Sequence, residues 1–420
     1  MNKSTMLKLI IVLGLVAGTF LMVCPAQAKV AIGTSNGWEF STDGFVNAFA
    51  IMEDPDTITY NSGTTAVEGG LLLNSDDKKF RVRTGLLPGL IAFNVKAPTT
   101  NGLDLAARVG FYPQIQEEQA SGRIQFGSQI DLREIFMTAD GGFGQILAGR
   151  ALHLYQGKNI LNDMTLFGVG AQGAIAAGGG TTLGYIGYGY IYTNFGAQIR
   201  YTTPDLGGVK LAIGILDPSV IDGAAADYTI TETPGYEAEI SYAGSLGGGV
   251  NLQAWINGMS QEAERLDAVT NTKKSATCSG FAGGVGVDVA GFHVLASGFS
   301  GQANGDAVMM AEFATAPVDS NDDEREATGI LAQLTYTILG ATKIGIQYGE
   351  TEFDETTADA ADRAAGTAHI EKQSAYTFGV YHDITPNWKV MAEYTAPKME
   401  YFDGTDLESS VIAIGTFFIW

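Results

Sequence analysis

The feature that most constrains this chain is an alternation of apolar and polar residues with a period of two. Tyr236, Ala238, Ile240 and Tyr242 share one parity, and Glu237, Glu239 and Ser241 the other. Leu334, Tyr336 and Ile338 stand against Gln333, Thr335 and Thr337; Ile344, Ile346 and Tyr348 stand against Lys343, Gly345 and Gln347. Leu103, Leu105, Ala107, Val109 and Phe111 oppose Asp104, Arg108 and Gly110. Successive side chains point to opposite faces only on a strand, so these runs predict strands with one apolar and one polar face. Soluble sandwich strands average about 5–6 residues. A tilted strand that crosses hydrocarbon needs about 9–11, and these runs are about that long.

The connections sharpen the choice. Short ones fall at 98–102, 140–144, 204–208, 244–249, 290–291, 339–341 and 385–387. Long ones fall near 52–78, 113–122, 156–190, 216–234, 260–276, 301–327, 352–372 and 398–407. Short and long alternate along the chain, as they do when strands run up and down through a membrane and return by tight turns on one side. Seven short and eight long connections predict about 16 strands. In hydrocarbon every backbone N–H and C=O must pair within the protein, so the sheet must close. The expected fold is all-β: a transmembrane antiparallel up-and-down β-barrel. Composition now has a place. The 55 glycines suit tight turns and close strand approach, and 45% hydrophobic residues is what one wet and one dry face average to. Within 80–96 the apolar parity switches across Pro88-Gly89, which predicts a bulge or an extra turn. Tyr188, Tyr190, Tyr192, Tyr201, Tyr242, Tyr336, Tyr394, Phe418 and Trp420 fall mostly near strand ends and are expected in interfacial girdles.

Residues 1–28 read as a secretory signal: Lys3 and Lys8, an apolar stretch over 9–23, and Ala26-Gln27-Ala28 as the cleavage site. Cys24 admits a lipoprotein reading, but Val23 stands where a small residue is needed. Residues 29–420 then form a single barrel domain. Removing Lys3 and Lys8 and no acid takes the net charge from -22 to -24. Only Cys278 remains, so no intramolecular disulfide forms. So negative a chain is not a nucleic-acid binder. His153, His293, His369 and His382 belong to no metal, haem or hydrolase motif, and the chain is expected to be no enzyme and to need no cofactor. A hydrolase or adhesin on a barrel is the third class considered.

Three stretches carry a resemblance. Arg133-Glu-Ile-Phe136, Gly141-Gly-Phe-Gly144 and Ala148-Gly-Arg150 form one strand–turn–strand; Ile199-Arg-Tyr-Thr-Thr-Pro204 with Gly207-Gly208 forms a second hairpin. Ile412, Ile414, Thr416, Phe418 and Trp420 alternate to an aromatic C-terminal residue. Together these resemble the Gram-negative general-diffusion porin family, although Trp420 replaces the usual Phe. The resemblance implies an outer-membrane, water-filled channel for passive diffusion of small hydrophilic solutes and ions. It further implies a homotrimer, a third loop folded into the lumen (about 156–190), and Phe418 and Trp420 as the signal for the barrel assembly machinery. A substrate-specific channel, or a barrel within a larger envelope complex, is the alternative.

Arg81, Arg83, Arg108, Arg123, Arg133, Arg150 and Arg200 all fall in predicted strands. A cation facing lipid at mid-depth costs about 2–4 kcal/mol, so they are expected in the lumen. Arg81, Arg83, Arg108, Arg133 and Arg150 are taken as pore-lining, with Asp163 as the one acid of loop three that could oppose them. Arg81, Arg83, Arg108 and Arg133 would set anion access; alternatively the arginines pair with wall carboxylates such as Asp104, Asp131 and Glu134. The Pro-Glu-Phe-Gly motif of the family's third loop is absent, with Leu166-Phe167-Gly168 a partial echo. From Met164 to Ile199 no charge occurs, which predicts a Gly-rich inserted loop followed by a strand. Acids cluster in the long connections, at Glu53–Asp56, 319–326 and 352–362. There they serve solubility or bridge divalent cations to lipopolysaccharide.

Overall fold

The computed structural model describes residues 29–56, 58, 60–68, 78–116, 130–173, 180–267, 269–311 and 315–420. The proposed leader and Arg123 lie outside the described residues. The chain runs through β1 (Val30–Ser35), β2 (Trp38–Pro55), β3 (Ala66–Glu68), β4 (Lys79–Arg83), β5 (Leu90–Lys96), β6 (Asp104–Pro113), β7 (Ile130–Gly141) and β8 (Gly144–Leu152). A short helix α1 (Gly157–Leu161) precedes β9 (Phe195–Thr202), β10 (Val209–Leu216), β11 (Gly235–Gly247), β12 (Val250–Leu266) and β13 (Lys273–Val289). Then come β14 (Phe292–Gln302), β15 (Glu326–Ile338), β16 (Thr342–Phe353), helix α2 (Thr357–Ala364), β17 (Thr367–Thr385), β18 (Trp388–Tyr401) and β19 (Asp406–Ile419).

Neighbouring wall strands pair antiparallel, and the last strand closes on the first from Ile419 opposite Phe45 to Ser409 opposite Pro55. On its other side β2 pairs with both β4 and β5, so these are two halves of one wall strand. The wall is therefore a closed barrel of 16 strands. Two strands stand apart from it. β1 folds back on β2 through Asn36-Gly37, and β3 pairs in parallel with β17 in the long-loop region. All seven short turns fall where the alternation placed them, whereas two connections expected to be long, 260–276 and 398–407, are mostly strand: β12 and β13 leave only 267–272 between them, and β18 and β19 only 402–405. The tightest turns use consecutive left-handed residues, as at Ala290-Gly291 and Leu339-Gly340, the backbone that suits the right-handed twist of a hairpin.

The faces sort as the parity predicted. Ile240, Ile330, Leu334 and Ile346 are outward and exposed, whereas Glu237, Glu239, Gln333 and Gln347 are inward and buried. Tyr201, Tyr336, Tyr394 and Phe418 are exposed on the outer face. Tyr188, Tyr190 and Tyr192 correct the girdle expectation: the first two are fully buried inside the lumen, and Tyr192 packs against the same inner core. Their alternation belongs to loop three, which ends only at residue 194, and β9 starts at Phe195.

The lumen holds a core of its own. Tyr155, Val169, Ala171, Tyr185, Tyr188, Tyr190 and Ile191 of loop three pack with Ala303, Ala307, Met309 and Met310 of the 303–325 loop. Wall glycines make room for them. A Cβ on Gly349 would overlap the carbonyl oxygen of Tyr188, and one on Gly85 would overlap that of Gly168.

Candidate constriction site

Loop three is held by the inward polar residues of one half of the barrel. Near its start, Leu154 N donates to Glu237 Oε2 at 2.6 Å and Gln156 N to Asn257 Oδ1 at 3.2 Å. Trp255 Nε1 donates to Asn159 Oδ1 at 3.0 Å. Met164 N then donates to both Gln333 Oε1 and Gln347 Oε1 at 2.9 Å. The Tyr185 hydroxyl bonds Thr377 Oγ1 at 2.9 Å. Val169 N and Gly170 N share Glu393 Oε2 at 2.8 and 2.9 Å, and Gln172 Nε2 donates to Glu53 Oε2 at 2.7 Å. The loop thus follows β11, β12, β15, β16, β17, β18 and β2 in turn. Orphan backbone donors that could not remain unpaired in a dry interior are satisfied by carboxylates and amides of the wall.

The predicted bulge lies where this path ends. Residues 84–89 leave the sheet between β4 and β5. Gly85 N donates to Asn47 Oδ1 at 2.9 Å, and Asn47 Nδ2 returns to the Leu87 and Pro88 carbonyls at 3.0 Å. Leu86 N meets the Gly168 carbonyl at 2.9 Å, and Thr182 N the Gly85 carbonyl at 3.1 Å. The break brings Leu86 and Leu87 to the inside, both buried.

Across from the held half, a partly open cavity of about 220 Å³ remains between loop three and the wall of β7, β8 and β9. Its loop side is apolar: Leu161, Leu166, Leu183 and Ile186. Its wall side carries Phe136, Leu147, Phe195, Arg133, Glu134 and Arg200. A bulge explains how both Arg133 and Glu134 reach the lumen. Gly110 pairs with Glu134 and the next residue, Phe111, with Leu132, so Arg133 has no partner in the ladder and turns inward beside Glu134. Bulges re-aim side chains in this way beside functional sites.

The predicted site residues separate. Arg108 is nine-tenths buried and neutralised in place: it bonds Glu134 at 2.7 Å, Asp43 at 2.8 Å and Asn94 at 3.0 Å. Arg133 pairs with Asp131 at 2.8 Å, lies 5.4 Å from the Tyr112 ring centroid and 5.8 Å from that of Phe195, and reaches the Tyr192 hydroxyl at 3.4 Å. Arg81 shares the lumen face in register with Ile51. Arg83, in register with Phe49, is fully buried, and its guanidinium nitrogens make no hydrogen bond among the described residues. Arg150 does not join the group. It is exposed and stands in register with Ile135 and Ala197, both outward-facing, near the loop end of β8. Near the strand end a cation can reach the interface instead of hydrocarbon, which removes the cost that argued for the lumen.

Asp163 is also not opposed to the arginines. It is buried and accepts from Thr165 N and Oγ1 (both 2.7 Å), Tyr185 N (3.1 Å), the Tyr190 hydroxyl (2.6 Å) and Gln347 Nε2 (2.8 Å). It fixes the loop to the far wall. Sequence reasoning missed the apolar side of the constriction. Its signal was present in the charge-free run that contains Leu166, Leu183 and Ile186, and in the parity break that inserts Leu86 and Leu87.

At the long-loop end, ion pairs brace the loops to one another. Asp322 accepts from Tyr228 at 2.6 Å and Arg265 Nε at 3.0 Å, and lies 3.3 Å from Lys274. Burial alone would raise its pKa, but these partners hold it below the usual carboxylate value. Asp359, Asp362 and His369 bring three potential metal ligands together. Arg325 takes both carboxylate oxygens of Asp359, so this donor set is committed to an ion pair and does not fit a divalent cation.

A family model for Gram-negative porins matches residues 18–398. No curated protein sequence matches the chain. Among solved structures, the outer membrane channel DcaP of Acinetobacter baumannii is similar, with a TM-score of 0.65 at 15% identity, over 93% of this chain and 100% of that one. The anion-selective porin from Comamonas acidovorans has a TM-score of 0.58 at 12% identity, over 91% and 100%. The trimer form of OmpT, an outer membrane protein of Vibrio cholerae, has a TM-score of 0.54 at 13% identity, over 92% and 100%.

Proposed function

As this chain belongs to the Gram-negative porin family and is an outer-membrane diffusion channel, we propose that Arg133 and Arg200 give its narrowest passage a preference for small anions. The observation that carries the reading is the charge of the cavity lining. It holds two arginines and one carboxylate, and that carboxylate, Glu134, is already paired with Arg108 at 2.7 Å. Asp131 pairs with Arg133 at 2.8 Å from outside the cavity lining, and the buried acids Glu53, Glu237 and Glu393 accept hydrogen bonds from loop three and lie beneath it. Arg81 and Arg83 extend the basic wall toward the long-loop end. No enzymatic step belongs to this reading.

The test is the reversal potential of single channels across a KCl gradient. A unit charge about 6 Å from a passing ion in water is worth about 0.7 kcal/mol, roughly a threefold bias in permeability. Arg133→Gln with Arg200→Gln is expected to move the potential toward cations by about that ratio per charge. An unchanged potential overturns the assignment.

Assembly as a homotrimer belongs to the same proposal. It is supported by the family and by the trimer form of the Vibrio cholerae protein. Mass measurement in detergent tests it. Phe418 and Trp420, stacked 6.1 Å apart on the closing strand, are proposed as the signal read by the barrel assembly machinery, and the outer face as the surface met by outer-membrane lipid and lipopolysaccharide.

A further inference from the structure

A channel for hydrophilic solutes alone has no use for an apolar wall facing its arginines. In this chain loop three presents Leu161, Leu166, Leu183 and Ile186 across the cavity from Arg133. The two sides differ in kind, and they sit on separate elements: a bulged wall strand, and a loop whose described residues are tied to the wall at Met164 and Val169. Leu166, Leu183 and Ile186 are mostly packed, and a water-filled passage lined in this way leaves water against the apolar edges that they and Leu161 turn to the cavity. A solute that covers them gains free energy, at about 25 cal/mol for each Å² of apolar surface removed from water.

We propose that this cavity is a binding subsite for a small organic monoanion with an apolar body, such as an aryl or branched-chain carboxylate. The carboxylate sits on the Arg133 guanidinium and the apolar body against the leucines of loop three. The proposal rests on the anion-preferring channel reading and deepens it. Three observations carry it. The first is size: an apolar cavity of about 150 Å³ takes up benzene. The cavity here, at about 220 Å³, has space for one ring and its carboxylate, and is smaller than the sites of drug-sized ligands. The second is the state of Arg133. Its Nε is engaged by Asp131, a half-exposed carboxylate at 2.8 Å, and its Nη1 reaches Tyr192 only at 3.4 Å. Arg133 is largely buried but Asp131 is half open to water, which screens the pair from that side, so an incoming carboxylate can compete for the guanidinium fork. The third is orientation. The rings of Tyr112 and Phe195, at 5.4 and 5.8 Å, hold the guanidinium plane beside the cavity.

The consequence is a saturable path on top of simple diffusion. In planar bilayers with KCl, benzoate should interrupt the chloride current of the wild-type channel in a concentration-dependent, saturating way, and acetate should not. Along butyrate, pentanoate and hexanoate the half-blocking concentration should fall by about fourfold for each CH₂ that reaches the leucines. Benzyl alcohol, which has the ring without the charge, should not block. Leu183→Asn should raise the half-blocking concentration of benzoate by about tenfold or more. The reversal potential in KCl, recorded on the same channels, shows that they are assembled and reports the anion-preferring reading separately. If benzoate and acetate act alike while the channel still prefers chloride, the subsite is overturned and the channel reading stands. If the wild-type channel shows no chloride preference, the channel reading fails. In that case benzoate block that survives Arg133→Gln also overturns the subsite. Equal block by benzyl alcohol and benzoate overturns the carboxylate–Arg133 contact.

Discussion

The two halves of the lumen wall are built from the same alternating strands and are used differently. From β11 round to β2, inward carboxylates and amides are occupied by loop three: Glu237, Asn257, Gln333, Gln347 and Glu393 each hold a backbone donor, and Glu53 holds the Gln172 side chain. From β4 to β9 the inward side is rich in arginine: Arg133 and Arg200 line the cavity, Arg108 is paired with Asp43 and Glu134, and Arg83 is buried. On one half, acids therefore hold the constriction; on the other, Arg133 and Arg200 face the cavity. A positive wall opposed by an acidic loop would polarise a solute across the passage. The present wall faces leucines instead, which lets charge and apolar surface act on the same solute from opposite sides.

Substitutions can break this division. The largest effect is expected in the held half. Asp163→Ala strands five hydrogen-bond donors, and at about 1 kcal/mol or more for each it should cost on the order of 5 kcal/mol. The unheated protein should lose its compact gel migration at a markedly lower temperature, and single-channel conductance should rise as the loop leaves the far wall. Next comes Arg108→Gln on the basic side. It leaves Asp43 and Glu134 buried without their cation, a loss of about 3 kcal/mol or more. The same gel assay should show it, and selectivity should move less than in Arg133→Gln. Equal effects of the two on reversal potential would mean that the basic wall acts as a whole. A smaller change, about 2 kcal/mol, is expected from Gly349→Ala, which forces Tyr188 off the wall. The smallest concerns the mouth. Burial would raise the Asp359 pKa, but Arg325 holds it below the ordinary Asp value of about 3.9. The stabilisation from that pairing is full above about pH 4 and is lost as pH falls through the lowered value. The protection factor of the 357–364 helix against hydrogen exchange, taken relative to the intrinsic rate at each pH, should therefore fall on acidification in the wild type, and Asp359→Asn should remove that dependence.

The barrel was legible because its determinants are local. Ile240 beside Glu239, or Ala290-Gly291 between two alternating runs, states a face or a turn within a few residues. The break at Pro88-Gly89 was also visible as a parity switch, and the structure shows that both halves remain in one wall strand. The site was less legible because its contacts are long-range. Nothing near Asp163 announces that Gln347, 184 positions away, will donate to it. Tyr188 and Tyr190 resemble girdle residues in sequence, and only the glycine at 349 that makes room for the loop places them inside. Arg133 and Arg150 look alike in one dimension. A one-residue bulge turns the first into the lumen, whereas regular pairing with Ile135 and Ala197 leaves the second outside.

The central claim is that solutes pass between the arginine wall and loop three, and not along the half that holds the loop. Cysteine modification tests this directly, since the one thiol among the described residues, Cys278, is fully buried. Phe136→Cys places a thiol on the cavity wall, and Thr377→Cys places one beneath Tyr185 on the opposite side. A small anionic thiol reagent added to open channels should reduce the conductance of the Phe136→Cys protein and leave that of Thr377→Cys unchanged. Block at Thr377→Cys with none at Phe136→Cys would contradict the account.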